Sequence, residues 1–122
     1  MCLAPSISTR GGKGILALGT PGSYGILQTQ VQAMVGHVDF GLDIQEAIAM
    51  PRARLWDGKL IYLERRVPHS VCVELSARGY DVALLPEYSW RTGGMQAVSR
   101  APDSGALAGG ADSRRDGAVI PA

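Results

Sequence analysis

The residues of this chain with the strongest chemical signal form a glycine-rich turn, GTPGS, at residues 19–23. The turn separates an apolar run, Ile15–Leu18, from an amphipathic stretch that begins at Gly25. At the start of a helix, such a turn presents backbone N–H groups where the helix dipole also favours negative charge, and both stabilise an oxyanion. Glycine and proline also build turns that only redirect the chain. The turn therefore predicts either an oxyanion site or simple chain reversal.

The residues around Ser23 exclude two known catalytic turns. A phosphate-binding loop needs Lys followed by Ser or Thr after its last glycine, whereas Tyr24 follows Ser23 here. A nucleophile elbow needs a histidine and an acid as partners of its serine, and neither is evident. His37 and His69, the two histidines, stand at no metal-ligand spacing. A hydrolase that uses Ser23 as its nucleophile is thus the weakest alternative, because it has no base.

Other candidate residues favour structural roles. Cys2 and Cys72 match no metal or redox spacing and are expected to be reduced thiols, with Cys72 buried on a helix face. Trp56 and Trp90 are expected to anchor packing. The mixed charges at residues 112–116 are typical of a solvated tail, although an arginine there could also bind a carboxylate.

The elements that position the turn follow from periodicity. Residues 5–9 and 14–20 predict a hairpin whose second strand is apolar on both faces and therefore central and covered. The turn then leads into a helix of about fifteen residues. The apolar face of this helix is defined by Leu27, Val31, Met34, Val35 and Val38.

Further elements are indicated by caps and turn residues. Asp43 and Glu46 form a capping box for a short second helix that stops at Pro51. Asp57-Gly58 predicts a two-residue hairpin turn between strands at 52–56 and 60–64. A third helix opens at Pro68, with a face of Val71, Cys72 and Leu75, and ends at Gly79. Three more strands follow, at 80–85, 94–100 and 105–111. The order β-β-α-α-β-β-α-β-β-β predicts an α+β fold with an antiparallel or mixed sheet and helices on its faces.

Composition limits the partners of this chain. Its 122 residues are expected to form a single domain, 1–122, and only 19% are charged, below the ~25% typical of soluble domains. Part of the surface is therefore expected to pack against another polypeptide. A net charge of +1 with scattered arginines argues against nucleic acid. No apolar run is long enough to span a membrane, and no export signal is visible.

Five segments match a known pattern in order: MCLAPSI, GTPGS, VDFGLDIQEAIAMPRAR, GGMQAV and GGADSRRDG. They resemble, in turn, the Met-x-Pro-Thr-Ile strand, the Gly-Ser-Pro-Gly-Gly turn, the Asp-Phe-Gly-Met-x-x-Gln-Glu-Ala-x-x-x-Pro-Arg segment, the Gly-x-x-Gln-Ala-Ile strand and the Gly-Ala-Ser-Asp-Pro-Arg-Arg ending of the γ-glutamyltranspeptidase family. The family consists of N-terminal-nucleophile hydrolases. Nearly the whole chain resembles the C-terminal half to two thirds of the family's small subunit.

This resemblance implies an α-β-β-α sandwich and a threonine nucleophile. Freed by autocleavage of a precursor, the threonine uses its own α-amino group as base to attack a γ-glutamyl amide, such as glutathione, and the acyl group passes to water or an amino acceptor. The family's Gly-Gly pair carries over to Gly22 and Ser23, whose N–H groups would bind the oxyanion. The chemistry implies no metal or organic cofactor.

The resemblance also shows what this chain does not supply. Ser23 stands where the family usually has glycine, which requires a φ that a residue with a Cβ tolerates. The nucleophile and the residues that hold the substrate lie upstream of Met1 or in the large subunit. The threonines of this chain have no equivalent role: Thr9, Thr20, Thr29 and Thr92. We expect the isolated chain to be inactive, and to bind a complementary upstream chain or self-associate through apolar surface.

A non-catalytic module that keeps the family fold for binding or assembly is the alternative. Its contacts would be Ser23, Trp90 and the arginines of the tail. Whether the parent enzyme is cytoplasmic or periplasmic depends on an upstream N-terminus.

Overall fold

The predicted order of strands and helices is confirmed by the computed structural model, which describes residues 4–121. Met1 and Cys2 lie outside the described residues. The strands are β1 (Ser6–Arg10), β2 (Lys13–Gly19), β3 (Ala53–Leu55), β4 (Leu60–Glu64), β5 (Asp81–Leu85), β6 (Gln96–Arg100) and β7 (Leu107–Ala111). The helices are α1 (Ile26–Val38), α2 (Ile44–Ala49) and α3 (His69–Ala77). Short 3-10 turns occur at Ser23–Gly25, Trp90–Thr92 and Ser113–Arg115.

The strands form two sheets, and the α+β class is confirmed. The larger sheet is antiparallel in the order β1-β2-β6-β7, and the smaller is mixed in the order β3-β4-β5. In the smaller sheet β3 and β4 are antiparallel, while β4 and β5 are parallel because α3 crosses between them. The core lies between the larger sheet and helices α1 and α2, and it includes Leu16, Leu18, Ala33, Ile44, Ile48, Met95 and Ala97.

Local turn signals are mostly confirmed. Asp43 and Glu46 form the reciprocal capping box of α2. Gly79 ends α3 with a φ of 87°. The turn after β3 is longer than the two predicted residues, because Trp56 N–H bonds to Leu60 O. Of the two predicted turn residues, only Gly58 has a positive φ.

Helix α1 mostly contradicts the prediction of its packing face: Met34 packs against the core, whereas the other four predicted residues are exposed. Leu27, Val31 and Val38 are 65%, 59% and 63% exposed. The buried positions are instead Ile26, Thr29, Gln30, Ala33 and Gly36. Small residues on this side let α1 approach α2 closely: a Cβ on Gly36 would lie 2.6 Å from Met50 Sδ. Close backbone approach, rather than apolar side-chain volume, selects the face of α1 that packs inside.

Two glutamines of α1 connect this helix to the smaller sheet. Gln28 bonds to both backbone groups of Leu55, at 2.8 and 3.0 Å, and Gln32 bonds to both of Ala53, at 2.8 and 2.9 Å. The two glutamines are one helical turn apart on α1 and bond to alternate residues of β3. Their side chains thus satisfy the backbone groups along the edge of β3 that no other strand of the described residues pairs with. This pairing fixes Arg54, which lies between the two bonded residues.

Helices α1 and α2 cover one face of the larger sheet, while the other face is covered only in part by the described residues. Val119 of the tail lies against β7, where a Cβ on Gly109 would be 2.6 Å from Val119 Cγ1. Ala17 in β2 is exposed, as are its register partners Ile7 and Val98. The expectation that both faces of β2 are covered is therefore wrong for this part of the chain. Helix α3 is also more exposed than expected: it has no fully buried residue, Cys72 is half-buried, and Pro68 precedes the helix as its N-cap.

Within residues 4–121, no helix is long and apolar enough to cross a membrane.

Candidate active site

The Gly22-Ser23 turn has a backbone conformation that exposes its donors. Gly22 has a φ of 144°, which side chains rarely adopt, and Ser23 has a φ of 53°, in the left-handed region. A serine tolerates this region at a small cost. In the described part of the chain, the N–H groups of Gly22 and Ser23 donate no hydrogen bond. Two consecutive backbone donors are thus available at the start of the short helix that leads into α1.

A second loop, at residues 92–94, supports the Gly22-Ser23 turn. The hydroxyl of Thr20 donates to Pro21 O at 2.9 Å and accepts from Gly94 N–H at 3.0 Å. Gly93 has a φ of 106°, and a Cβ on it would lie 2.7 Å from Thr20 Oγ1. The loop that contains Gly93 is held in turn by Thr29, which donates to Thr92 O at 2.8 Å. Three of the four threonines are therefore scaffold residues, and Thr9 lies in β1 with an exposed side chain.

The turn forms one wall of a cavity of about 550 Å³. This volume is within the range of small-molecule sites. The lining comes from the turn, from the smaller sheet and from the last two 3-10 turns, and consists of Pro21, Gly22, Ser23, Arg54, Trp56, Tyr62, Trp90, Arg91 and Arg115. Both tryptophans line the cavity and are more than half exposed, so the expectation that they anchor packing is wrong.

Arg54 is the most enclosed polar residue of the cavity wall, with 8% of its surface exposed. Its Nη1 donates to Arg91 O at 2.7 Å, and its guanidinium carbon lies 4.7 Å from the centre of the Trp56 ring. The Nε atom is buried and has no partner among the described residues. Burial lowers the pKa of Arg54 below its ordinary value.

Behind the cavity wall, the charged residues of the tail join a buried network. Arg114 grips Glu64 with Nε and Nη2, each at 2.6 Å, and Arg52 Nη1 lies 2.6 Å from Asp112 Oδ2. Asp112 is 1% exposed and Arg114 7% exposed. The expectation of a solvated tail is therefore wrong for these two residues, although Arg115 and Asp116 are exposed.

Glu64 is the centre of this network and is fully buried. Besides Arg114, it accepts hydrogen bonds from the N–H groups of Arg52 and Ser89, the hydroxyl of Thr92 and Nη2 of Arg66. Burial alone would raise the pKa of Glu64, but the bonds from Arg114 and Ser89 outweigh it and hold the pKa below its ordinary value. Burial likewise would raise the pKa of Asp112, but the positive charge of Arg52 and the hydrogen bonds that Asp112 accepts outweigh burial and lower this pKa.

The arginines of the network also cap α2. Ile48 O accepts from Arg52 Nη2 at 2.7 Å and from Arg114 Nη1 at 3.0 Å, and Ala49 O accepts from Arg66 Nη1 at 2.7 Å. These are carbonyls of the last helical turn, where cations are favourable. Burial, with the charge of Arg114, lowers the pKa of Arg52, whereas Glu64 and Asp112 raise the pKa of Arg114 against the effect of burial.

The remaining candidates of the sequence lie away from the cavity. His37 Nδ1 is 2.7 Å from Leu42 O, where it helps end α1, and His69 is exposed at the start of α3. No cluster of three or more metal-binding side chains occurs within residues 4–121.

Sequence reasoning missed Glu64 and three members of the cavity wall, Arg54, Tyr62 and Arg91. One signal was present: Arg52 and Arg54 stand two apart in a predicted strand, so they share a face, and two buried arginines need partners or a ligand. Their partners are far away in sequence, and no local pattern identifies them.

Comparison with known proteins gives consistent matches. The profile of the family described as Gamma-glutamyltranspeptidase matches residues 2–122. The acylase ACY 1 proenzyme of Pseudomonas sp. (strain V22) is 37% identical over 119 residues, which are 97% of this chain and 20% of that protein. The glutathione hydrolase proenzyme of Bacillus subtilis is 28% identical over 118 residues, which are again 97% of this chain and 20% of that protein.

A solved structure agrees. The gamma-glutamyltranspeptidase from Pseudomonas nitroreducens, complexed with L-DON, superimposes with a TM-score of 0.85 at 31% identity, covering 98% of this chain and 62% of that one. The chain thus spans about a fifth of the length of the curated relatives it matches.

Proposed function

The chain belongs to the gamma-glutamyltranspeptidase family, and we propose that it forms the C-terminal part of the small subunit of an enzyme that hydrolyses or transfers γ-glutamyl amides. In this proposal residues 1–122 are one domain that supplies the oxyanion turn, while upstream polypeptide supplies the nucleophilic threonine. The substrate is a small γ-glutamyl amide of the glutathione type. No cofactor is needed.

The observation that carries this proposal is the pair of free donors in the turn. Gly22 and Ser23 present consecutive backbone N–H groups that no acceptor in the described residues takes. Both residues line the cavity, so an oxygen of a bound substrate can reach them. Donors held in place before the reaction stabilise a developing oxyanion more than they stabilise a neutral carbonyl. The matching turn of the family occupies the same place in its sequence pattern.

The reaction proceeds by acyl transfer. The hydroxyl oxygen of the upstream threonine adds to the γ-glutamyl carbonyl as the threonine's α-amino group takes the proton, and Gly22 and Ser23 donate to the oxyanion that forms. The C–N bond then breaks, and the leaving amine takes the proton. Water or an acceptor amine attacks the resulting ester, which frees the threonine.

Exposed apolar surface supports a complementary chain. One face of the larger sheet carries Ile7, 74% exposed, and Val98, 46% exposed, beside Ala17. The outer face of α1 adds Leu27 and Val31. Surfaces of this kind are typically covered by another polypeptide. We expect the isolated chain to self-associate and to lack turnover, and light scattering that shows a monomer with no dye-binding apolar patch would contradict the first expectation.

The test of the oxyanion role is Gly22→Pro in the complete enzyme, which requires co-production of this chain with its upstream polypeptide. Proline removes one N–H donor and, because its ring fixes φ near about −65°, it also cannot keep the φ of 144° that orients the Ser23 donor. Activity should therefore fall by at least the roughly 100- to 1000-fold in kcat that the loss of one such donor typically costs. Gly41→Pro is the matched control, because Gly41 also has positive φ, 70°, but lies on the surface with open space around it. Circular dichroism of both variants checks that they fold.

Ser23→Gly completes the design. It keeps the N–H donor and restores the residue usual in the family, so kcat should stay within about threefold of the parent. If Gly22→Pro and Gly41→Pro lose activity equally, the turn is only structural. If the complete protein folds but turns over no γ-glutamyl amide, the non-catalytic binding module takes precedence, and the meeting of Ser23, Trp90 and Arg115 in one cavity favours that alternative.

A further inference from the structure

The cavity beside the Gly22-Ser23 turn has an unbalanced charge. Three arginines line it, Arg54, Arg91 and Arg115, and no Asp or Glu does. None of the three forms an ion pair within residues 4–121, whereas Arg52, Arg66, Arg78 and Arg114 all do. The chain as a whole has a net charge of only +1, so this concentration of positive charge is local.

The burial of Arg54 makes the imbalance significant. A guanidinium that is 8% exposed loses most of its hydration, and here it gains only one hydrogen bond, to Arg91 O, while its Nε has no partner in the described residues. Buried charge without a partner is costly, and a bound anion would supply the missing interaction. Gly25 makes room for this side chain, since a Cβ there would lie 3.0 Å from Arg54 Nε.

Aromatic rings hold the guanidinium groups in place. The central carbon of Arg115 lies 5.6 Å from the Trp90 ring centre, and that of Arg91 lies 5.9 Å from both the Trp90 and Tyr62 rings. Stacking engages the face of a guanidinium and leaves its N–H edge for a planar anion such as a carboxylate. The same rings offer an apolar surface to whatever carries the anion.

We infer that this cavity is a subsite for a carboxylate carried on a flat, apolar body. The inference rests on the proposed function only in placing that body next to the scissile amide. Because a γ-glutamyl chain is aliphatic and not flat, the flat body and its carboxylate belong to the leaving amine. The enzyme would then prefer substrates with an anionic group at that position over neutral ones of the same shape.

Binding tests the subsite without any turnover. The chain has two tryptophans, both in the cavity wall, so their fluorescence reports its occupancy. Benzoate and benzamide have the same shape and differ in charge. Titrated into the 122-residue chain, benzoate should bind about tenfold more tightly than benzamide, and raising the salt concentration should shrink the difference. Equal responses to the two probes would overturn the subsite.

Variants assign the effect to the cavity. The double substitution Arg91→Gln with Arg115→Gln removes two charges from exposed positions and should abolish the preference for benzoate. The control, Arg78→Gln with Arg100→Gln, removes two exposed charges elsewhere and should keep it. Thermal melts of both double variants separate loss of binding from loss of fold. Loss of the preference in both, or in neither, contradicts the inference.

Turnover by the complete enzyme then tests the subsite with a substrate. The 4-nitroanilide and 3-carboxy-4-nitroanilide of γ-glutamate differ only in a carboxylate on the flat leaving amine. The ratio of their kcat/KM values should fall toward one in the Arg91 and Arg115 double variant, and an unchanged ratio overturns the subsite. Benzoate binding without turnover would reject the proposed hydrolase and keep the subsite. Turnover without a preference for the charged substrate would keep the proposed hydrolase and reject the subsite.

Discussion

Two groups of arginines, one around Arg52 and one around Arg54, lie next to each other at β3 and β4 and serve different ends. Arg52 and Arg114 are buried against Glu64 and Asp112, with ion-pair distances of 2.6 Å. Arg54 and its neighbours in the cavity wall are stacked on aromatic rings and have no carboxylate partner in the described residues. Compensated charge holds elements together, whereas uncompensated charge in a cavity is available to a ligand.

The largest expected effect comes from substituting an arginine of the compensated group, the ion-paired residues Arg52 and Arg114. Arg114→Met leaves Glu64 and Asp112 buried without their shared partner, which should lower the free energy of unfolding by about 3–5 kcal/mol. Arg115→Met, its neighbour in sequence, removes an exposed charge and should cost less than about 1 kcal/mol. Urea denaturation of the complete protein measures both. Equal losses of unfolding free energy in the two variants would contradict the difference between the two groups of arginines.

Acid provides the second test of the compensated group. The pKa values of Glu64 and Asp112 are depressed in the folded state, so the unfolded chain binds more protons and stability falls as pH drops through the depressed pKa values. We expect the free energy of unfolding to be level near pH 6 and to fall below about pH 4.5, by at most about 1.4 kcal/mol per pH unit for each group.

The acid slope should depend on which arginine is present. Arg114→Met removes the bonds that depress the pKa of Glu64, so its slope should be shallower than that of the parent protein, while Arg115→Met should keep the full slope. Chemical denaturation at a series of pH values gives this directly. A parent protein with no acid slope would show that the network does not hold its carboxylates ionised.

A smaller expected effect on stability sharpens the other side of the comparison. A Cβ on Gly94 would lie 2.5 Å from Arg115 Cδ and 2.9 Å from Arg115 Cβ, so the backbone at Arg115 must shift together with its side chain. Gly94→Ala should therefore displace Arg115 and weaken benzoate binding by about threefold, at a cost in stability of about 1–3 kcal/mol. Gly14→Ala is the control, because its nearest neighbour is 4.0 Å away. If Gly94→Ala leaves benzoate binding unchanged, Arg115 is not part of the subsite.

Local signals determined the elements of this fold. The hairpin of β1 and β2 and the Asp43–Glu46 capping box each depend on neighbouring residues, and both are in the structure as expected. The turn of the hairpin is formed by Gly11 and Gly12, with φ values of 56° and 76°. The family pattern likewise pointed to Gly22 and Ser23, whose role in binding an oxyanion stays a prediction. Periodicity failed for α1, because it scores apolar residues and does not score the close approach that Gly36 permits.

By itself, then, the sequence determined the order of strands and helices, the family, and the turn that starts α1, since each depends on neighbouring residues or on an ordered motif. Only the tertiary structure decided which charges are compensated. Arg114 meets Glu64 across 50 positions and Arg52 meets Asp112 across 60. Among the described residues, Arg54 instead meets the Trp56 ring and the Arg91 carbonyl, with no carboxylate beside it. The energy of a buried charge depends on the groups around it in space, and here those groups come from distant parts of the chain.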